Sequence, residues 1–145
     1  MWSSREFLRR CEELHALEFK TVFEAGTRVA RGFSDLGFEE FIILPGEKLL
    51  SIYTGNLSPL REEERAHFFL VPEIDYMLAQ IDRLEFDVDC ISTADRRVWS
   101  MQLRDARAGA VQRCSASSVA ALILEGLIIS HGLRRTGEFR KAAHE

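Results

Sequence analysis

Leu84-Glu85-Phe86-Asp87-Val88-Asp89-Cys90 decides how this chain of 145 residues is read. Phe86, Val88 and Cys90 alternate with Asp87 and Asp89, a period of two that predicts a strand with one apolar and one acidic face. Upstream, Ile74, Met77, Leu78 and Ile81 follow helical spacing. The tripeptide Leu84-Glu85-Phe86 repeats Leu17-Glu18-Phe19 at an offset of 67, and there too an alternating run follows, Phe19, Thr21 and Phe23. Arg97-Val98 stands where Arg28-Val29 stood, and Gly109 where Gly37 stood. A strand from Gly109 to Ser115 leads into a helix from Ser117 to about Ser130. In the same way Gly37 to Leu44 leads into a helix started by Pro45 and running to about Thr54.

The pattern predicts an α+β protein of two similar α-β-β-β-α halves, with antiparallel sheets and helices packed on one face. The first helix starts at Ser4, where Phe7, Leu8, Cys11 and Leu14 form its apolar stripe. Arg28 to Ser34 is the return strand after the Ala25-Gly26 turn. The expected segments are a first half at 1–55, a helical connector at 56–71, a second half at 72–132 and a polar, frayed tail at 133–145. Gly55 and Pro59 punctuate the connector, and Glu62, Glu63 and Glu64 suit the first turn of its helix, which runs on through Phe68, Phe69 and Leu70.

Composition narrows the function classes. Apolar residues are 46% and charged residues 29%, which describes a globular chain rather than a disordered one. The net charge of −4 weighs against a nucleic-acid binder, whose affinity comes from neutralised phosphates. Lys20, Lys48 and Lys141 are the only lysines among 19 basic residues, and the rest are Arg. Cys11, Cys90 and Cys114 build neither a disulfide framework nor a four-thiolate zinc site, so they read as thiols of a reducing, cytoplasmic compartment. The opening residues pass straight into an amphipathic pattern, from which no signal peptide is expected, and the longest apolar run, Val119 to Ile129, carries Glu125 and is too short to span a bilayer.

Motifs for chemistry are absent. There is no phosphate-cradling glycine pattern, no G-x-S-x-G elbow and no H-E-x-x-H. The histidines, His15, His67, His131 and His144, have no metal-ligand spacing, and three consecutive helical carboxylates at 62–64 point about 100° apart. The expectation is no catalytic residue, no cofactor and no metal. Asp87 and Asp89 are the one exception to weigh: about 7 Å apart on one strand face, they suit a divalent ion or an acid–base pair. The competing reading is a solvated face on which Arg97 and Arg113 are their cross-strand partners.

Partner contact is the remaining class. Trp99 on a strand offers an aromatic anchor, with Arg97 and Arg113 beside it as recognition cations. Leu124 and Ile128 belong to a helix that is apolar nearly all round, which predicts a covered helix or a self-association surface. The expected function is a non-enzymatic protein-binding adaptor or chaperone-like domain working through a sheet face or edge, cytoplasmic and homodimeric. The alternatives are a nucleic-acid-associated factor using the Arg-rich hairpins (Arg96, Arg97, Arg104, Arg107 and Arg113) and a small enzyme using Asp87 and Asp89.

Arg31-Gly32-Phe33-Ser34, Gly46, Gly55, Pro59 and Glu62-Glu63-Glu64 together resemble part of the MaoP family, small bacterial proteins tied to chromosome macrodomain organisation. The likeness covers about a quarter of the chain and consists mainly of caps and turns, so no function is carried across. In length, acidity and opening element order the chain is also similar to the small acidic chaperones of type III secretion. That similarity implies a homodimer holding an unfolded segment, at the level of fold analogy alone.

Overall fold

The computed structural model describes residues 3–32 and 37–144, with side chains through Arg135. Two compact units divide the chain at Pro72. Phe33 and Ser34, part of the resemblance above, lie outside the described residues.

The first unit opens with helix α1, Arg5–Ala16. Ser4 caps it by accepting the Phe7 N–H. Strands β1 (Arg28–Gly32), β2 (Phe38–Leu44), β3 (Lys48–Ser51), β4 (Leu57–Pro59) and β5 (Phe69–Leu70) form an antiparallel sheet in the order β4-β3-β2-β1-β5. Facing residues pair Val29 with Phe41 and Ile43 with Leu49, placing these four on one face. There they build a core with Leu60 and Phe68, against which Phe23 packs. The opposite face carries Ala30, Glu40 and Phe69 together with the buried stripe Leu8, Cys11 and Leu14 of α1. Cover on both sides explains why Phe38-Glu39-Glu40-Phe41-Ile42-Ile43-Leu44 lacks clean alternation.

Three expectations for this unit are corrected. The helix expected after Pro45 is instead a hairpin. Pro45 and Gly46 close it, Gly46 at φ +83°, and β3 returns so that Leu44 faces Lys48. Phe19, Thr21 and Phe23 form no strand, because both sides of β2 are already taken by β1 and β3. The helix expected after Pro59 is a short 3₁₀-helix, Glu62–His67, with its three glutamates in the first turn. Phe68 and Phe69 leave it fully buried, and β5 closes on β1.

The second unit follows the sequence closely: α2 (Ile74–Arg83), β6 (Phe86–Thr93), β7 (Trp99–Asp105), β8 (Val111–Ala116) and α3 (Val119–His144). Its sheet runs β6-β7-β8 and is antiparallel throughout. Phe86, Met101, Leu103 and Cys114 are buried on one face, against which α2 and α3 pack. Gly126 lets α3 approach β7: a Cβ there would lie 2.5 Å from Met101 Cε. Leu122, Ile123, Leu124 and Leu127 are buried, since α2 and the sheet cover different sides of this helix. The tail expected to fray from Leu133 is the continuation of α3, in a stretch free of proline.

The structure is therefore α+β with two antiparallel sheets, but the two units share neither element order nor strand order, and the expected internal repeat is not found. The echo of Leu17-Glu18-Phe19 in Leu84-Glu85-Phe86 has a local cause. Leu17 and Leu84 are helix C-caps, and Glu18 (φ +62°) and Glu85 (φ +63°) take the left-handed conformation that ends both helices.

Candidate functional site

The outer face of the three-stranded sheet follows from its register. Asp87 faces Arg104, which faces Val111; Asp89 faces Gln102, which faces Arg113. These side chains stand opposite the buried set of Phe86, Met101, Leu103 and Cys114, and Gln102, Arg104, Val111 and Arg113 are exposed.

Arg104 sits between the two aspartates, with Nη2 2.7 Å from Asp87 Oδ2 and Nε 4.0 Å from Asp89 Oδ2. A guanidinium thus occupies the space between the carboxylates. The cross-strand partner expected as Arg97 or Arg113 is Arg104. Among the described residues no group of three or more His, Cys, Asp or Glu side chains is placed to hold a metal ion.

The expected recognition residues are scattered. Trp99 is half-buried and shares its face with Met101 and Leu103, so it belongs to the core side of β7. Arg97 is exposed in the β6–β7 hairpin, whose turn is fixed where Asp95 Oδ1 accepts the N–H groups of Arg97 (2.9 Å) and Val98 (3.1 Å). Leu124 is fully buried and Ile128 half-buried, so Leu124 is core rather than contact surface. Arg113 is exposed at the centre of β8 and has no ion pair or side-chain hydrogen bond among the described residues.

Sequence reasoning missed Arg134, assigned to the tail. Its guanidinium donates to the carbonyls of Leu84 (2.6 Å) and Glu85 (3.0 Å), the end of α2, and to both oxygens of Asp105 (2.8 and 3.1 Å). It also stacks over Phe86, 4.3 Å from the ring centre. Hydrogen bonding from Arg134 holds the Asp105 carboxyl down to about 2 from 3.8. This arginine locks α3 to the start of β6 and the end of β7. Arg107 pairs with Glu85 beside it, and that contact lowers the Glu85 carboxyl below its ordinary range.

What remains open is the edge of the sheet. β8 is an end strand, and its register with β7 runs from Trp99–Ala116 to Arg104–Val111 without a break. Hydrogen-bonded and non-hydrogen-bonded pairs alternate along an antiparallel ladder. Asp105 N–H donates to Ala110 C=O at 2.8 Å, and on the other side Ala106 N–H donates to Glu85 C=O at 2.9 Å. The alternation then turns the N–H and C=O of Gln112 and Cys114 towards β7, and those of Val111, Arg113 and Ser115 away from it. These three residues carry exposed side chains as well.

The first unit offers a cleft of about 420 Å³ at the N-terminus of α1, lined by Ser4, Arg5, Phe38 and Tyr53 among others. Glu40 lies buried near it, engaged by Arg28 and by the N–H of Ser3 at 3.4 Å. Desolvation followed by the Glu40 and Glu39 charges pushes the Tyr53 phenol up. Desolvation, then Glu40, pushes the buried Cys11 thiol up, which leaves it an inert thiol. No helix among the described residues is long and apolar enough to cross a membrane. Comparison with protein-family models, with curated proteins and with solved structures finds no match to this chain.

Proposed function

We propose that the protein is a non-enzymatic protein-binding module, an adaptor or chaperone-like domain, that takes an extended segment of a partner onto the edge of β8. The observation that supports this reading is the regular six-residue edge itself, with three successive outward-facing backbone positions and no bulge or proline. The other sheet ends are poorer templates. β4 has three residues and contains Pro59, β5 has two, and β6 is interrupted by a bulge between Asp89 and Ser92, with Cys90 at φ +58°. A cytoplasmic setting is part of the proposal, because all three cysteines are free thiols. The apolar surface of α3 that suggested a homodimer is largely buried, so self-association is not its main support. Arg104 and Arg107, two of the five hairpin and strand arginines, are taken by carboxylates, which weakens the nucleic-acid reading.

Amide hydrogen exchange on the full chain tests the proposal. In the free protein Val111, Arg113 and Ser115 exchange fast while Gln112 and Cys114 exchange slowly. Saturation with a ten-residue strand-forming peptide slows the first three. A peptide that binds while those three amides keep their free rates rejects the edge.

A further inference from the structure

We infer that the β8 edge selects an acidic extended segment, one that places Asp or Glu opposite Arg113 and an apolar residue opposite Val111. The inference rests on the edge reading above and adds the chemistry of the occupant.

The charge pattern of the outer face carries it. Of the two arginines here, Arg104 is engaged by Asp87 and Asp89, whereas Arg113 faces the neutral Gln102 on its inner neighbour strand. Among the described residues nothing neutralises it. The other flank of Arg113 is the open edge, and a strand added there is the one neighbour able to supply a directly opposite carboxylate. Backbone and side chain converge on the same residue. The outward N–H and C=O of Arg113 exchange two hydrogen bonds with a single residue of an antiparallel strand, and that residue's side chain stands beside the guanidinium.

Two positions along the same face, Val111 is 56% exposed and apolar. Because the added strand runs opposite to β8, its sequence reads, from N to C, a small or polar residue facing Ser115, one residue, the acid, one residue, then the apolar residue facing Val111. The two intervening residues lie on the core side, level with Cys114 and Gln112.

Fluorescence anisotropy with the full chain tests the occupant. Three labelled ten-residue strand-forming peptides carry Thr two residues before and Val two residues after one variable position, set opposite Arg113, which is Glu, Gln or Lys. The Glu peptide binds about fivefold tighter than the Gln peptide, and the Lys peptide weakest. Arg113→Glu, an exposed surface change, inverts the order. The preference shrinks as salt is raised towards 1 M. N-methylation of the Glu peptide at that same residue, which removes the N–H given to Arg113 C=O, abolishes binding. Equal affinity for the three peptides, still lost on N-methylation, overturns the acidic occupant and leaves the edge in place. No binding at all, or binding that survives N-methylation, overturns the edge reading itself. A chain found dimeric by sedimentation, with slow exchange at Val111, Arg113 and Ser115 before peptide is added, gives the edge to a second copy and overturns the acidic segment.

Discussion

The two sheets each tie neighbouring strands with an arginine–carboxylate pair, and the two pairs live in different solvents. In the first sheet Arg28 and Glu40 lie on the face beneath α1, with side chains 27% and 0% exposed. In the second sheet Arg104 and Asp87 lie on the bare face, 52% and 42% exposed. The difference follows from cover. A sheet packed on both faces must bury whatever polar group its strands carry there, and a buried charge is tolerated only with its partner. A sheet packed on one face can dress the other in exposed charge at little cost. It also keeps an edge accessible, and the better-covered sheet ends in its shortest strands.

The largest expected effect comes from breaking the covered pair. Arg28→Met leaves the Glu40 carboxylate under α1 without its guanidinium, and we expect a loss of about 3–5 kcal/mol in denaturant titration. Replacing both partners with apolar residues, Arg28→Met with Glu40→Leu, should recover most of that loss. Exchange of the Val29 and Ile43 amides localises the effect to the first unit. A loss below about 1 kcal/mol would mean that water reaches Glu40, and the contrast between the sheets would lapse.

Next in size is Arg134→Ala. It removes donors to two carbonyls and to both oxygens of Asp105, so we expect about 3 kcal/mol, read in the Met101 and Leu103 amides of the second unit. The pH dependence has a definite sign. Asp105 titrates at about 2 in the folded chain against 3.8 ordinarily, so the unfolded chain takes up its proton first as pH falls. The stability contributed by this contact is complete above that ordinary value and drains away as pH falls from 3.8 towards 2. The Arg134→Ala variant should show a flatter acid limb over that interval. An unchanged acid limb would show that Asp105 gains its low titration from somewhere else.

Legibility in the sequence followed the same division of cover. In the second unit Phe86, Val88, Met101 and Leu103 alternate against polar residues because one face is solvated, and the strands could be read directly. In the first unit cover on both faces blurs the period, and Leu49-Leu50 after Pro45-Gly46 fits a helix as well as a returning strand until β2 supplies a neighbour. The likeness of Leu17-Glu18-Phe19 to Leu84-Glu85-Phe86 was a true local signal, two helix ends with a left-handed glutamate, extended too far into a duplicated fold. The edge of β8 was out of reach. Alternation marks Val111, Arg113 and Ser115 as outward-facing, but that no strand follows them is a fact of strand order. Arg134 was hidden for a related reason: its partners lie 29, 49 and 50 positions away, and no local spacing announces them.

The smallest expected effect sharpens the comparison most. Arg104→Ala removes the same kind of group as Arg28→Met, and from a geometry at least as direct, since Arg104 and Asp87 stand face to face in register. If cover alone separates the two pairs, the change should cost no more than about 0.5–1 kcal/mol, with the cost shrinking further at high salt as the freed Asp87 and Asp89 are screened. Thermal unfolding at 50 mM and 500 mM salt reads both numbers. A loss comparable to that of Arg28→Met would require the outer face of the second sheet to be out of water in solution. Something would then be lying on it, and the face, rather than the edge of β8 alone, would be where this protein meets its partner.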